Sequence, residues 1–164
     1  MKTSHVMSKD FIGAAQAVKA ACNAKGTLPI LSQACVRTVG HEATIHTTNL
    51  DFSLHYRFPV SGDPLDFTFP LKPFLATAPK LFSDERLDIS VDPKTLKVTF
   101  AQGPHQYTLQ GFLPLEFPLP LSGFALWGEF DTEELTHKLK FVLPASDKRE
   151  TRPILAGIFF RSDG

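Results

Sequence analysis

The chain has no apolar run near the roughly 18 residues that would suggest a membrane-spanning helix. Among its 164 residues there are only two cysteines, one tryptophan and two tyrosines, and its formal net charge is zero. These shortages exclude several classes. Two cysteines cannot build a disulfide scaffold, and with no signal peptide Cys22 and Cys35 are expected to be reduced thiols in a cytoplasm. Zero net charge gives no bulk signal for nucleic acid. The phosphate-cradling patterns G-x-x-x-x-G-K-[ST] and G-x-G-x-x-G are missing, and so is the nucleophile elbow G-x-S-x-G. His41, His46 and His55 form the closest histidine group, but no cysteine or carboxylate stands at a structural-zinc spacing, so no metal is expected. No cofactor is expected either. The paired carboxylates Asp84/Glu85 and Glu133/Glu134 read as a turn and a helix N-terminus, where the macrodipole favours negative charge.

What the chain does have is phenylalanine: fifteen residues within a composition that is 43% hydrophobic and 21% charged. That is a globular composition with material for a well-filled core. Charge is unevenly spread. Between Phe11 and His41 there is no acid, against Lys19, Lys25 and Arg37, and from His137 to Arg152 five cations face Asp147 and Glu150. A neutral protein with a basic face can still bind a polyanion, because the local potential acts on the partner. Solvated helix faces would give the same pattern.

The chain also repeats itself. Residues 131–164 align without a gap on residues 7–40 at a shift of 124. Val18/Val142, Ala21/Ala145, Thr27/Thr151, Pro29/Pro153, Ile30/Ile154, Leu31/Leu155, Arg37/Arg161 and Gly40/Gly164 are identical. Lys25/Arg149 keeps its charge and Ser8/Thr132 a capping hydroxyl. So long a period is a duplicated domain and not a solenoid, whose units run to roughly 20–50 residues.

Periodicity supplies the elements. A strand over Lys2–Met7 leads to a helix capped by Ser8, with Phe11, Ala14, Ala15, Val18 and Cys22 on one stripe and a break at Lys25-Gly26. Three strands follow, over Gln33–Val39, Ala43–Thr48 and Phe52–Pro59. In the last, Phe52, Leu54, Tyr56 and Phe58 share a face. Ser61-Gly62-Asp63-Pro64 is a turn. The order then recurs: a strand over Asp66–Phe69, a helix over Leu71–Phe82 with Pro73 in its first turn, and strands over Leu87–Val91, Leu96–Phe100 and Gln106–Phe112. The fold class is therefore α+β, with a strand–helix–three-strand half-domain used twice. Pro114–Gly128 reads as a linker. Asp131 or Thr132 caps another helix, with Leu135, Leu139 and Val142 on its stripe and Pro144 at its end. Arg152–Arg161 reads as a strand whose Ile158, Phe159 and Phe160 would lie on an unpaired edge.

Lys25 and Arg149 occupy the same helix-to-strand loop in the two copies. Cations at matching positions in tandem domains can make evenly spaced contacts to a regular polyanion such as DNA, where phosphate contacts fix position and not sequence. Two polar loop positions without a role would look the same.

Four segments in register, Thr27–Leu31, Thr48–Asp51, Leu113–Pro118 and Thr151–Phe160, resemble the bacterial DNA polymerase III β subunit, the sliding clamp. The fit runs over essentially the whole chain. Leu115 departs from it, since the family more often has a small residue there. The resemblance implies a DNA clamp fold with helices on one face of a curved sheet. Residues 1–122 would be a complete clamp domain and 123–164 the opening part of a second. Family members close as homodimers into a ring around duplex DNA and tether the polymerase for processivity. They work with polymerase and clamp-loader subunits and catalyse nothing. Family DNA-contact positions fall on Lys25, Lys72 and Arg149. Two more fall on Pro153 and Ile154, which cannot stack on or hydrogen-bond to DNA as the aromatics of some members can. Leu155 matches a wall of the family's partner-peptide pocket, and Leu109 lies on its subunit interface. The expectation is a piece of a longer clamp. The alternatives are a clamp-derived module that caps an intact clamp without encircling DNA, and an enzyme whose site is assembled from scattered residues.

Overall fold

The two strand–helix–three-strand patterns of the first 121 residues interlock, because each lends its first strand to the other. The computed structural model describes residues 2–22, 28–78, 81, 84–119, 130–146 and 153–161. The chain divides into two compact units, Met1–Leu121 and Ser122–Gly164. In the first unit β1 (Lys2–Met7) runs into α1 (Ser8–Ala17), then 3-10 turns at Lys19–Ala21 and Pro29–Ser32, then β2 (Gln33–Val39), β3 (Glu42–Thr48) and β4 (Ser53–Pro59). After the two-residue β5 (Ser61–Gly62) come β6 (Phe67–Pro70), α2 (Leu71–Thr77), β7 (Arg86–Val91), β8 (Lys97–Gln102) and β9 (His105–Gln110).

Two antiparallel sheets result, in the orders β5-β1-β7-β8-β9 and β4-β3-β2-β6. β1 belongs by sequence to the first half but pairs with β7 of the second, Ser4 opposite Ile89 and Val6 opposite Leu87. β6 belongs to the second half but pairs with β2 of the first, Ala34 opposite Phe69. Neither half can complete a sheet alone, so the exchange makes the unit one cooperative body.

The phenylalanines occupy the seam. Phe11 of α1 lies with ring centroids 5.5 Å from Phe58, 5.6 Å from Phe69, 5.1 Å from Phe74 and 5.8 Å from Phe100. Four of these five side chains are fully buried and Phe58 nearly so. Burying one such ring contributes roughly 1.5–3 kcal/mol, and each edge-on or tilted pair adds about 0.5–1.5 kcal/mol. The α1 stripe of Phe11, Ala14, Ala15 and Val18 is buried, whereas Cys22 is half-buried.

Local details differ from the sequence expectations in informative ways. Ser8 does not cap α1: Met7 is the N-cap and no side chain caps there. The buried Ser8 hydroxyl instead accepts a hydrogen bond of 2.7 Å from Gln102 Nε2 in β8, a partner 94 residues away. Ser61-Gly62 is more than a turn, since it adds two residues of ladder to β1. On β4 only Phe58 of the expected apolar row is buried, while Phe52 and Tyr56 are about half exposed, because β4 is an edge strand. α2 stops at Thr77, short of Phe82. The Thr77 hydroxyl donates to the carbonyls of Pro73 and Phe74.

The Thr48–Asp51 loop holds Leu50 at φ 76°, a left-handed conformation uncommon for a leucine. Side chains offset the strain. Asn49 Oδ1 accepts from the N–H groups of Asp51 and Phe52, and the Thr48 hydroxyl accepts from that of Leu50. The β2–β3 hairpin turns at Gly40, where φ is 61°, a conformation glycine adopts without a steric penalty.

In the second unit α3 (Thr132–Val142) is followed by 3-10 turns at Leu143–Ala145 and Pro153–Ala156. Asp131 caps α3, its Oδ1 accepting from the Glu134 N–H at 2.9 Å. These elements begin 124 residues after α1 and the 3-10 turns at Lys19–Ala21 and Pro29–Ser32. The duplication seen in the sequence is thus a duplication of local structure. The expected strand over Arg152–Arg161 is not seen in its described part, 153–161, which is a 3-10 turn followed by residues in no described strand. Its counterpart β2 is a strand because β3 and β6 flank it, and no described strand flanks 157–161.

Candidate nucleic-acid interface

The end of α1 and the start of α2 are neighbours. α1 packs on α2, and Thr47 of β3 ties down its end by donating its hydroxyl to the Val18 carbonyl. Beyond it Cys22 donates its thiol to the Ser32 carbonyl at 3.4 Å, closing the base of the loop between α1 and the following 3-10 turn. Burial pushes the Cys22 thiol up, and the Lys72 ammonium of α2 opposes that rise. Lys72 therefore stands near the base of the loop that carries Lys25. The distant sequence positions 22 and 72 give no hint of this. Lys72 is exposed, as is Lys19 in the 3-10 turn, and among the described residues neither has an ion-pair partner. Such unpaired surface ammonium groups remain available to a phosphate at little desolvation cost. Lys9, near the other end of α1, lies 3.8 Å from Asp84.

Lys25 and Arg149 both lie outside the described residues. In the second unit Pro153 and Ile154 open the 3-10 turn Pro153–Ala156, with Ile154 85% exposed and Leu155 45% exposed. Their counterparts differ: Leu31, matching Leu155, is buried. Leu109 sits half-buried in β9 opposite Val98. β9 ends its sheet, so its outer backbone groups face no described strand.

Two polar clusters lie away from this region. His5 Nδ1 is 2.7 Å from Asp88, whose carboxylate also takes Arg86 Nε at 2.9 Å. On the other sheet His46 stands between Cys35 and His55 in register, with the two imidazoles 5.9 Å apart. Burial, His55 and Arg37 together lower the His46 pKa to about 4, and burial pushes Cys35 up to about 11. A thiol held protonated by burial is a poor nucleophile. Among the described residues no three of His, Cys, Asp and Glu converge as metal ligands, and no helix is long and apolar enough to cross a membrane.

No family model matches the chain, and no curated protein does. Solved structures do match. The DNA polymerase III subunit beta of Pseudomonas aeruginosa superposes with a TM-score of 0.85 at 20% identity, covering 93% of this chain and 42% of its own. The β sliding clamp of Caulobacter crescentus gives 0.82 at 20% identity, over 94% of this chain and 41% of its own. The clamp of Bartonella birtlesii, solved with griselimycin bound, gives 0.83 at 22% identity, over 92% and 41%. The chain thus spans about two fifths of the length of these clamps. The likeness concerns architecture, and in architecture the chain has the fold of the bacterial DNA polymerase III β subunit, the sliding clamp.

Proposed function

We propose that this chain is part of a replication processivity factor, a clamp that encircles duplex DNA and tethers the polymerase without catalysing a reaction. One observation carries the reading: α1 and the two 3-10 turns after it recur at a constant offset of 124 residues in a chain with the clamp fold. A repeated module presents the same helix-end loop twice, and both loops carry a cation, Lys25 and Arg149. With Lys72 beside the first loop, these cations are the phosphate contacts. Pro153 and Ile154 flank them through shape alone. Sequence-blind electrostatic contact suits a tether that must slide.

On this reading 1–122 is the first clamp domain and 123–164 the opening part of the second. Leu109 and the edge of β9 form the homodimer contact of the full-length ring. Leu155 belongs to the pocket that receives polymerase and clamp-loader subunits, and the location is cytoplasmic. The edge of β9, which faces no described strand, also favours a second reading, a module that caps an intact clamp there without encircling DNA. Size-exclusion chromatography with an intact clamp separates the two, because only the capping module forms a stable heterocomplex.

The test of the DNA contacts is fluorescence anisotropy on a labelled duplex across a salt series. The expected binding is weak and salt-dependent, and the log–log slope becomes shallower by roughly 0.9 for each of Lys25, Lys72 and Arg149 changed to Ala. Tight, salt-insensitive binding, or a triple variant with the original slope, would overturn the assignment.

A further inference from the structure

The first unit carries a recess of about 240 Å³ at the start of α1, with all of its walls drawn from that unit. It lies where β1 runs into α1, β4 passes into β5 and β7 begins. Val6, Met7, Pro59 and Val60 give it apolar walls, and Asp10 and Arg86 give it polar ones. These walls are fixed by the fold. Gly62, at φ 93°, brings β5 so close to β1 that a Cβ there would meet the Thr3 carbonyl. The Asp88 carboxylate lies 2.7 Å from His5 Nδ1 and 2.9 Å from Arg86 Nε, and so holds both side chains. The Ser8 N–H donates to the Glu85 carbonyl at 3.0 Å, which ties α1 to the start of β7.

Charge at this corner is one-sided. Asp10, Asp84, Glu85 and Asp88 gather there against Lys9 and Arg86. Both cations are already engaged, Lys9 by Asp84 at 3.8 Å and Arg86 by Asp88. Among the described residues Asp10 and Glu85 have no ion-pair partner. The start of α1 is therefore acidic, whereas Lys19 and Lys72 stand near its other end, about 15 Å away along the helix. The local potential at the recess repels a polyanion and draws in a cation.

We propose that this recess is a docking site for a basic segment of a partner protein. The segment sets one aliphatic side chain against Val6, Met7, Pro59 and Val60, and an adjacent lysine or arginine against Asp10. The volume supports a single anchor, because small-molecule pockets run to roughly 300–1,000 Å³. The charge selects the neighbour of that anchor, since Asp10 is the unopposed carboxylate on the wall. Walls held in place by Gly62 and Asp88 lower the ordering cost of binding. The site lies at the opposite end of α1 from the proposed phosphate contacts, so the two can be occupied together and tested apart.

Amide NMR shift titration of the full chain at neutral pH is the test, with the end-blocked tripeptides Lys-Leu-Lys, Glu-Leu-Glu and Lys-Ser-Lys as probes. Lys-Leu-Lys should give saturable shifts at the amides of Met7, Asp10, Val60 and Ser61, with a Kd of about 1 mM as suits one anchor. The other two should leave those amides unmoved. Asp10→Asn should weaken binding by roughly 3–5-fold, the worth of an exposed ion pair. Ser61→Lys, at an exposed position on the recess wall, adds a cation there and should weaken it as well, whereas Lys72→Ala leaves it unchanged. Absence of saturable shifts at these amides would overturn the proposal. So would equal shifts with Glu-Leu-Glu or Lys-Ser-Lys, binding indifferent to both Asp10→Asn and Ser61→Lys, or binding lost in Lys72→Ala.

Discussion

Acidification should weaken the first unit through His46. This side chain sits in the middle strand of a three-strand row, with Cys35 on one side and His55 on the other. Arg37 of β2 also faces it, and its Nδ1 is buried without a hydrogen-bond partner. Burial first, then the neighbouring His55 and Arg37, hold its pKa at about 4 against the usual 6.5. Because the folded value is the lower one, the unfolded chain takes up a proton in a range where the folded protein does not. Stability is therefore intact above about pH 6.5 and falls as the pH drops to about 4, below which both states are protonated. The full shift would correspond to about 3 kcal/mol. His46 is only half-buried, so solvent screening reduces the loss to about 1–2 kcal/mol. Urea denaturation followed by circular dichroism at pH 7, 5.5 and 4 measures it (conditions chosen to bracket roughly this titration range). Exposed carboxylates titrate in the same window, Asp92 and Glu134 among them with lowered pKa values. The comparison is therefore with His46→Gln, which keeps those groups and loses this one. The native protein should lose more stability than the variant by about the screened amount. Parallel pH profiles would refute the argument and show that the imidazole is solvated in the folded state.

Three other outcomes follow. Gly111→Ala should destabilise the protein by about 2–4 kcal/mol in urea melts, because an added Cβ meets the backbone carbonyls of Thr68 and Leu96 where neither strand can withdraw. Gln102→Leu strands the buried Ser8 hydroxyl and should cost about 1–3 kcal/mol, whereas Gln110→Leu at the exposed end of β9 should be nearly neutral. Amide hydrogen exchange at 153–161 should be much faster than in β2 and β3, since those strands have ladder partners on both sides and 153–161 has none described. Equal protection in both segments would refute the argument from ladder pairing.

Much of the local structure was legible because it depends on neighbours in sequence. Gln33–Val39 reads as a strand that turns at Gly40, and it forms a strand over those residues. The apolar spacing of Phe11, Ala14, Ala15 and Val18 marks the buried face of α1. Other details were illegible because long-range partners override local preference. Ser8 has the chemistry of a helix cap, but Gln102 takes its hydroxyl. The 157–161 segment has the β-branched and aromatic content of a strand but lies in no described strand, since a strand is made by its ladder and not by propensity alone. At the candidate site, the resemblance to the clamp family picked out Lys72, but its approach to Cys22 comes from the packing of α1 on α2.

The amino-acid order alone determined the tandem module, its boundaries and its offset, because duplication leaves a register that needs no coordinates to read. It also determined which residues are cationic at the helix ends. Only the tertiary structure decided that the two halves of the first unit exchange their leading strands. Hydrogen-bonded pairing and burial are set by whatever lies across the gap, and local sequence does not specify that partner.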